Sequence, residues 1–146
     1  MIVELLGSLV GGALGLGLYD RHRRRRLARD DASGRPLVFS GSVLGGTSYC
    51  HPAGGMLRVD GTSLTWLTGV GGMSFPVPVE RLEVRGLTEV SRSESYAGGI
   101  NVAVVCDDAG ATVRIVVLRS DLPYVARALP GLLPLLASGE SAGART

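Results

Sequence analysis

The order of apolar and polar residues divides the chain into three segments with different periodicities. The first segment is almost entirely apolar. In the second, apolar and polar residues alternate, which is the period of half-buried strands. In the third, apolar residues return every three or four positions, as in an amphipathic helix. We therefore predict a transmembrane helix over 1–20, a β-rich domain over 35–137 that ends in one helix, and a flexible tail over 138–146.

The alternating segment contains seven short strand candidates separated by turn signals. Asp60-Gly61 and the run from Asp107 to Gly110 are typical of hairpin turns, because Gly and Asp tolerate positive φ. Pro76 and Pro78 lack backbone N–H donors, so their strand is predicted at a sheet edge. Trp66 is expected in the core. The predicted strands are 37–44, 56–59, 62–67, 74–79, 82–90, 100–106 and 112–118, the last two being apolar on both faces and therefore central.

The C-terminal apolar residues have helical spacing. Ser120 is a suitable helix cap, and Leu122, Val125 and Leu129 follow on one face. Pro130 is expected to kink or stop this helix, because proline cannot donate the backbone hydrogen bond that a helix interior needs.

The N-terminal apolar segment has the length of a membrane span. Glu4 is the one charged residue among residues 1–19, and these would form a helix of roughly 28 Å, close to the thickness of a bilayer core. Gly7, Gly11 and Gly15 fall every fourth residue, a spacing that lets two such helices approach closely. The segment therefore predicts a membrane anchor that could also form homo-oligomers. A buried core helix or an interfacial helix is the alternative.

Charge is concentrated directly after this segment. The chain of 146 residues has a net charge of only +2, yet six arginines lie within residues 21–29. Arginines after an apolar segment, without the leading charge of a secretory signal peptide, predict a span with its C-terminal side in the cytoplasm. We expect this basic juxtamembrane segment and its linker, 21–34, to contact anionic lipid headgroups. The arginines concerned are Arg21, Arg23, Arg24, Arg25, Arg26 and Arg29.

Candidate chemistry is sparse. Cys50 and His51 are adjacent, but the only other cysteine is Cys106 and the only other histidine is His22. Zinc needs four ligands, or three and a water molecule, and this set does not supply them. The glycine-rich stretches lack the Gly-Lys-Ser/Thr ending of a phosphate-binding loop. We therefore expect no enzyme activity, no metal and no cofactor, and a disulfide only if the domain were exported.

Seven strands followed by a C-terminal helix resemble the pleckstrin-homology-like fold, a β barrel or sandwich closed at one end by its last helix. The full layout resembles small bacterial single-pass membrane proteins of unknown function with such a domain. Because a membrane anchor is joined to a domain without a catalytic motif, we expect a non-enzymatic adaptor or accessory module of the cell membrane. Its cytoplasmic domain would bind a protein partner on a sheet face or in a groove beside the C-terminal helix. The alternative is binding of nucleic acid or an acidic partner through residues 21–29. Nucleic acid is not the favoured partner of the protein, because the basic residues do not spread over a folded face.

Overall fold

The chain forms two compact units, Met1–Arg35 and Pro36–Thr146. The structure is a computed structural model, and it describes residues 21–50, 54–68, 72–90 and 101–143. The predicted transmembrane helix over 1–20, with Gly7, Gly11 and Gly15, lies outside these residues. Among the residues that are described, no helix is long and apolar enough to cross a membrane.

The described part of the first unit is a helix, α1, which covers residues 21–32. Gly34 ends it with a left-handed backbone, at φ 73°. The Arg35 N–H donates to the Asp30 carbonyl at 2.9 Å, and the Gly34 N–H donates to the Asp31 carbonyl at 3.2 Å. These two bonds form a Schellman motif, which satisfies the last carbonyl groups of the helix. The basic segment is therefore helical through most of the predicted linker.

The second unit is mainly β. Its described residues include seven strands, each antiparallel to its neighbours, which form one open sheet in the order β4-β3-β2-β1-β7-β6-β5. All seven predicted strands are confirmed, with ends that agree within two residues. The strands are β1 (Leu37–Gly45), β2 (Gly55–Asp60), β3 (Ser63–Thr68), β4 (Ser74–Val77), β5 (Glu83–Glu89), β6 (Asn101–Asp108) and β7 (Ala111–Leu118).

Strand β1 changes partner at Gly41. Its first half pairs with β2 as far as Gly41–Gly55, and its second half pairs with β7 from Gly41–Val117 onward. A Cβ atom at Gly41 would lie 2.6 Å from Leu57 Cδ1 and 3.0 Å from the Val116 carbonyl oxygen. Only glycine fits this crowded position without displacement, so this residue allows β1 to serve both halves of the sheet.

The predicted hairpin turns are confirmed. Gly61, between β2 and β3, has φ 60°, and Ala109 and Gly110, between β6 and β7, have φ 52° and 96°. Two consecutive positive φ angles are the requirement of the type I′ turn that joins twisted strands tightly. The Gly110 N–H also donates to Asp107 Oδ2 at 3.3 Å.

The core lies between the sheet and the C-terminal helices. Trp66 is fully buried, as predicted, and its ring centroid lies 5.6 Å from that of Phe75 on β4. Phe39 of β1 is also buried, and its ring centroid lies 6.2 Å from that of Tyr124. Central strands β6 and β7 are buried along most of their length, which confirms their predicted place.

The two edge strands differ from the centre in composition. β4 pairs only with β3, and Pro76 lies opposite Thr65, so the predicted edge position of the proline-containing strand is confirmed. β5 is the other edge, and its pairing with β6 shifts register between Val84 and Gly86. A missing donor on one edge and an irregular register on the other both discourage further strand pairing.

The prediction of a single C-terminal helix is wrong. A 3-10 turn at Arg119–Asp121 leads into α2 (Leu122–Ala128), a second 3-10 turn follows at Pro130–Leu132, and α3 runs over Leu133–Gly143. Leu129 breaks the helix at φ −124° and ψ 78°, because the residue before a proline is pushed out of the helical region. α3 also enters the segment 138–146 that the sequence assigns to the tail.

Candidate functional site

An open groove of about 920 Å³ lies where the end of α2 approaches strands β3 and β4. The connection between β4 and β5 forms another of its walls. The lining residues lie in four short stretches, 62–65, 76–80, 82–84 and 127–131. The groove therefore occupies the region where β4 ends the sheet, beside the C-terminal helices.

The base of the groove is apolar. Leu64, Val77 and Leu129 line it and are at most 4% exposed. Val79 and Val84 line it as half-buried side chains. A Cβ atom at residue 131 would lie 3.5 Å from Val84 Cγ2, so the 3-10 turn packs closely on β5. An apolar base with a half-buried wall is typical of a surface that another apolar group can cover.

The rim of the groove carries charge. Glu80 and Glu83 line it from the β4–β5 connection and the start of β5, and both are exposed. Glu83 forms an exposed ion pair with Arg85, at 3.2 Å between Glu83 Oε1 and Arg85 Nη1. Arg127 lines the groove from α2. The wall formed by the connection is therefore acidic.

The backbone along the groove offers little for strand pairing. Pro76 has no N–H, and the Val79 N–H is already bonded to the Val77 carbonyl at 2.8 Å. An added strand needs a row of free donors and acceptors on the edge that it joins. The groove is therefore suited to contact through side chains.

A buried polar cluster connects three other parts of the second unit. The Tyr49 hydroxyl donates to Asp108 Oδ2 at 2.6 Å, and Arg81 Nη2 donates to the same oxygen at 3.1 Å. The Asp108 side chain is 6% exposed, whereas that of Arg81 is 61% exposed. The cluster joins the loop after β1, the end of β6 and the β4–β5 connection. Through Arg81 it ties the connection, which forms one wall of the groove, to β6.

The cluster does not have the pKa values of an acid–base pair. The Tyr49 hydrogen bond and then the Arg81 guanidinium hold the pKa of Asp108 below its usual range. Burial and then the hydrogen bond to Asp108 raise the pKa of Tyr49 to about 12. At neutral pH the carboxylate therefore stays charged and the hydroxyl stays protonated, which suits a fixed structural contact and not proton transfer.

The two cysteines are free thiols. Cys106 is buried, and burial raises the pKa of its thiol to about 11, so it is unreactive at neutral pH. Cys50 is half-buried, with its Sγ 2.9 Å from Thr47 Oγ1. His51 lies outside the residues that the structure describes. Within the described ranges, no group of three or more side chains could hold a metal ion.

The arginine run lies on α1. Arg23 is buried, and the other five arginines are exposed. An exposed guanidinium can reach an anionic surface, whereas a buried one cannot, so Arg23 stands apart from the remaining arginines. The exposed residues are Arg21, Arg24, Arg25, Arg26 and Arg29.

Comparison with protein-family models, with curated proteins and with solved structures produced no match to the chain. The roles of its residues therefore rest on geometry and chemistry alone. The groove lies beside the C-terminal helices, where the sequence led us to expect a partner. The cluster of Tyr49, Arg81 and Asp108 was missed, because its members are ordinary residues of three loops and strand ends with no shared motif.

Proposed function

We propose that the second unit is a pleckstrin-homology-like domain. An antiparallel order with β1 between β2 and β7 supports this assignment, because one strand then belongs to both halves of the sheet. The change of partner of β1 at Gly41 would allow the halves to turn toward each other, as strands do at the corners of orthogonal sheet packings. The position of α2 against β1, through Tyr124 and Phe39, fits a helix that closes one end.

We further propose that the protein is a non-enzymatic adaptor of the cell membrane, with its C-terminal domain in the cytoplasm. Residues 1–20 would be the anchor. The five exposed arginines of α1 would face the anionic leaflet, where each contributes about 1 kcal/mol of attraction. The groove carries the adaptor proposal, since it is an open concave surface lined mainly by apolar residues and flanked by charge, and such grooves are typical of binding sites for other molecules.

Membrane fractionation tests the anchor. The full-length protein should remain in the pellet after an alkaline carbonate wash, because a spanning helix is not removed by that treatment. A variant without residues 1–29 should move to the supernatant. If this truncated domain still pelleted with membranes, the anchor assignment would be wrong.

Site-specific photo-crosslinking in living cells tests the groove. Ser63 lines the groove and is exposed, and Thr112 is exposed on β7 outside the groove. A photoreactive residue at position 63 should give a discrete cross-linked species that position 112 does not give. Equal cross-linking at both positions would argue against the groove as the binding surface.

Binding of nucleic acid through α1 is the second candidate, and the exposure of five arginines on a short helix favours it. Phosphate contacts release counterions, so such binding should weaken steeply as salt increases. A fluorescence titration of the full-length protein with duplex DNA at several salt concentrations tests this candidate. Absence of binding at low salt would remove it.

A further inference from the structure

We propose that the groove binds an amphipathic helix of a partner protein, and that a Lys or Arg beside the apolar stripe of this helix pairs with Glu80 and Glu83. This inference rests on the proposed adaptor function and specifies the chemistry of its partner. Apolar side chains of the partner would cover Val79, Leu82 and Val84, the half-buried residues that line the groove beside its buried base.

The acidic wall supplies the charge complementarity. Glu80 is exposed, and its carboxylate forms no ion pair shorter than 4 Å within the described residues. Glu83 is paired with Arg85, but both side chains are more than half exposed, at 65% and 57%. Exposed ion pairs contribute little net stability, so Glu83 can accept a cation from a partner with little loss. The lining therefore holds two carboxylates and one guanidinium, that of Arg127, and this excess of negative charge favours a cationic side chain.

The backbone of the edge strand β4 limits the conformation that a partner can adopt in the groove. Pro76 has no N–H and the Val79 N–H is already bonded, so the row of donors that an added strand needs is interrupted along this edge. A helix satisfies its own backbone groups and presents only side chains, so it can occupy an apolar groove without this ladder. The volume of about 920 Å³ lies near the upper end of the 300–1,000 Å³ of ordinary ligand pockets, which leaves room for several side chains of one helix face.

Two synthetic peptides test the inference on the full-length protein in nanodiscs of phosphatidylcholine. Each peptide has about 14 residues, nearly four helical turns, and the same stripe of leucines. One carries Lys beside the stripe, and the other carries Glu at the same positions. Fluorescence polarisation should show the Lys peptide binding several-fold more tightly, because each exposed carboxylate weakly attracts Lys and repels Glu by a similar amount. A photoreactive leucine in the stripe should cross-link to residues 62–65 or 127–131.

Charge-reversal variants provide the controls. The double variant Glu80→Lys, Glu83→Lys should lose the preference for the Lys peptide. Glu89→Lys changes an exposed glutamate of β5 outside the groove and should leave the preference intact.

Each contrary result has a defined meaning. Equal binding of both peptides in the groove would overturn the electrostatic part of the inference. Cross-links outside the groove, or no binding at all, would overturn the inference as a whole. The adaptor function would then still be judged separately, by the cross-linking at position 63 in cells.

Discussion

At the scale of single residues, Gly41 has the clearest consequence for stability. Gly41→Ala would place a Cβ atom 2.6 Å from Leu57 Cδ1 and 3.0 Å from the Val116 carbonyl oxygen. Overpacking of this kind costs about 1–3 kcal/mol. Urea denaturation followed by tryptophan fluorescence should show the loss, since Trp66 lies in the same core. Gly46→Ala is the matched control, because a Cβ atom there meets nothing within 4 Å. An unchanged midpoint in the Gly41 variant would show that Leu57 can move aside.

The Asp108 cluster predicts a dependence of stability on pH. The folded-state pKa of Asp108 lies below the unfolded-state value of about 3.9. The stability that the charged carboxylate contributes is therefore present above the unfolded-state pKa and is lost as the pH falls through the folded-state pKa. The destabilisation caused by Asp108→Asn should therefore be largest near neutral pH and should shrink in acid. Thermal denaturation of both proteins from pH 7 to pH 3 measures this. A constant difference across that range would contradict the assignment of the cluster.

The variant Tyr49→Phe distinguishes the contribution of the Tyr49 hydroxyl to stability from that of its ring. It removes the donor 2.6 Å from Asp108 and keeps the buried ring. We expect a loss of about 1–3 kcal/mol, because a buried acceptor then lacks one partner. Urea denaturation at neutral pH measures the loss. Stability equal to that of the parent protein would mean that Arg81 alone satisfies the carboxylate.

At the scale of elements, the edge strand β4 predicts resistance to strand-mediated association. The double variant Pro76→Thr, Pro78→Thr would restore two backbone N–H groups beside the free edge. We expect association that increases with protein concentration, because open edges pair with other edges. Sedimentation velocity measures it, and Pro123→Ser, an exposed change in the first turn of α2, is the control. Identical sedimentation of all three proteins would show that the prolines do not protect this edge.

The same elements show how far the sequence predicted the fold. Alternation found the seven strands because each side chain of a strand faces opposite to its neighbour, and the turn residues marked their ends. The sequence predicted a kink or stop at Pro130 but not the separate helix beyond it, because the leucines after Pro130 continue the apolar pattern whether the helix bends or stops. The groove could be expected only in outline. Its walls come from residues 62–65, 76–80, 82–84 and 127–131, and their proximity depends on the order in which the strands pair, which no local pattern encodes.

At the scale of the whole molecule, the distribution of arginine predicts topology. Reporter fusions at the C-terminus should give fluorescence with green fluorescent protein and no activity with alkaline phosphatase, because the arginine-rich side of a span stays in the cytoplasm. Replacing the five exposed arginines of α1 by serine should weaken this bias and give a mixed population. Phosphatase activity in the unchanged protein would place the domain outside and contradict the predicted orientation.

The partner change of β1 at Gly41 also bears on how the domain comes apart. Among the described residues, β1 alone connects β2 and β7 through the sheet, so both halves of the sheet depend on this strand. Loosening of either half removes a neighbour from β1 and thereby weakens the other. We therefore expect the sheet to unfold in a single cooperative transition and not strand by strand. A molecule that binds at one edge would in this way stabilise strands on the far side of the domain that it never touches.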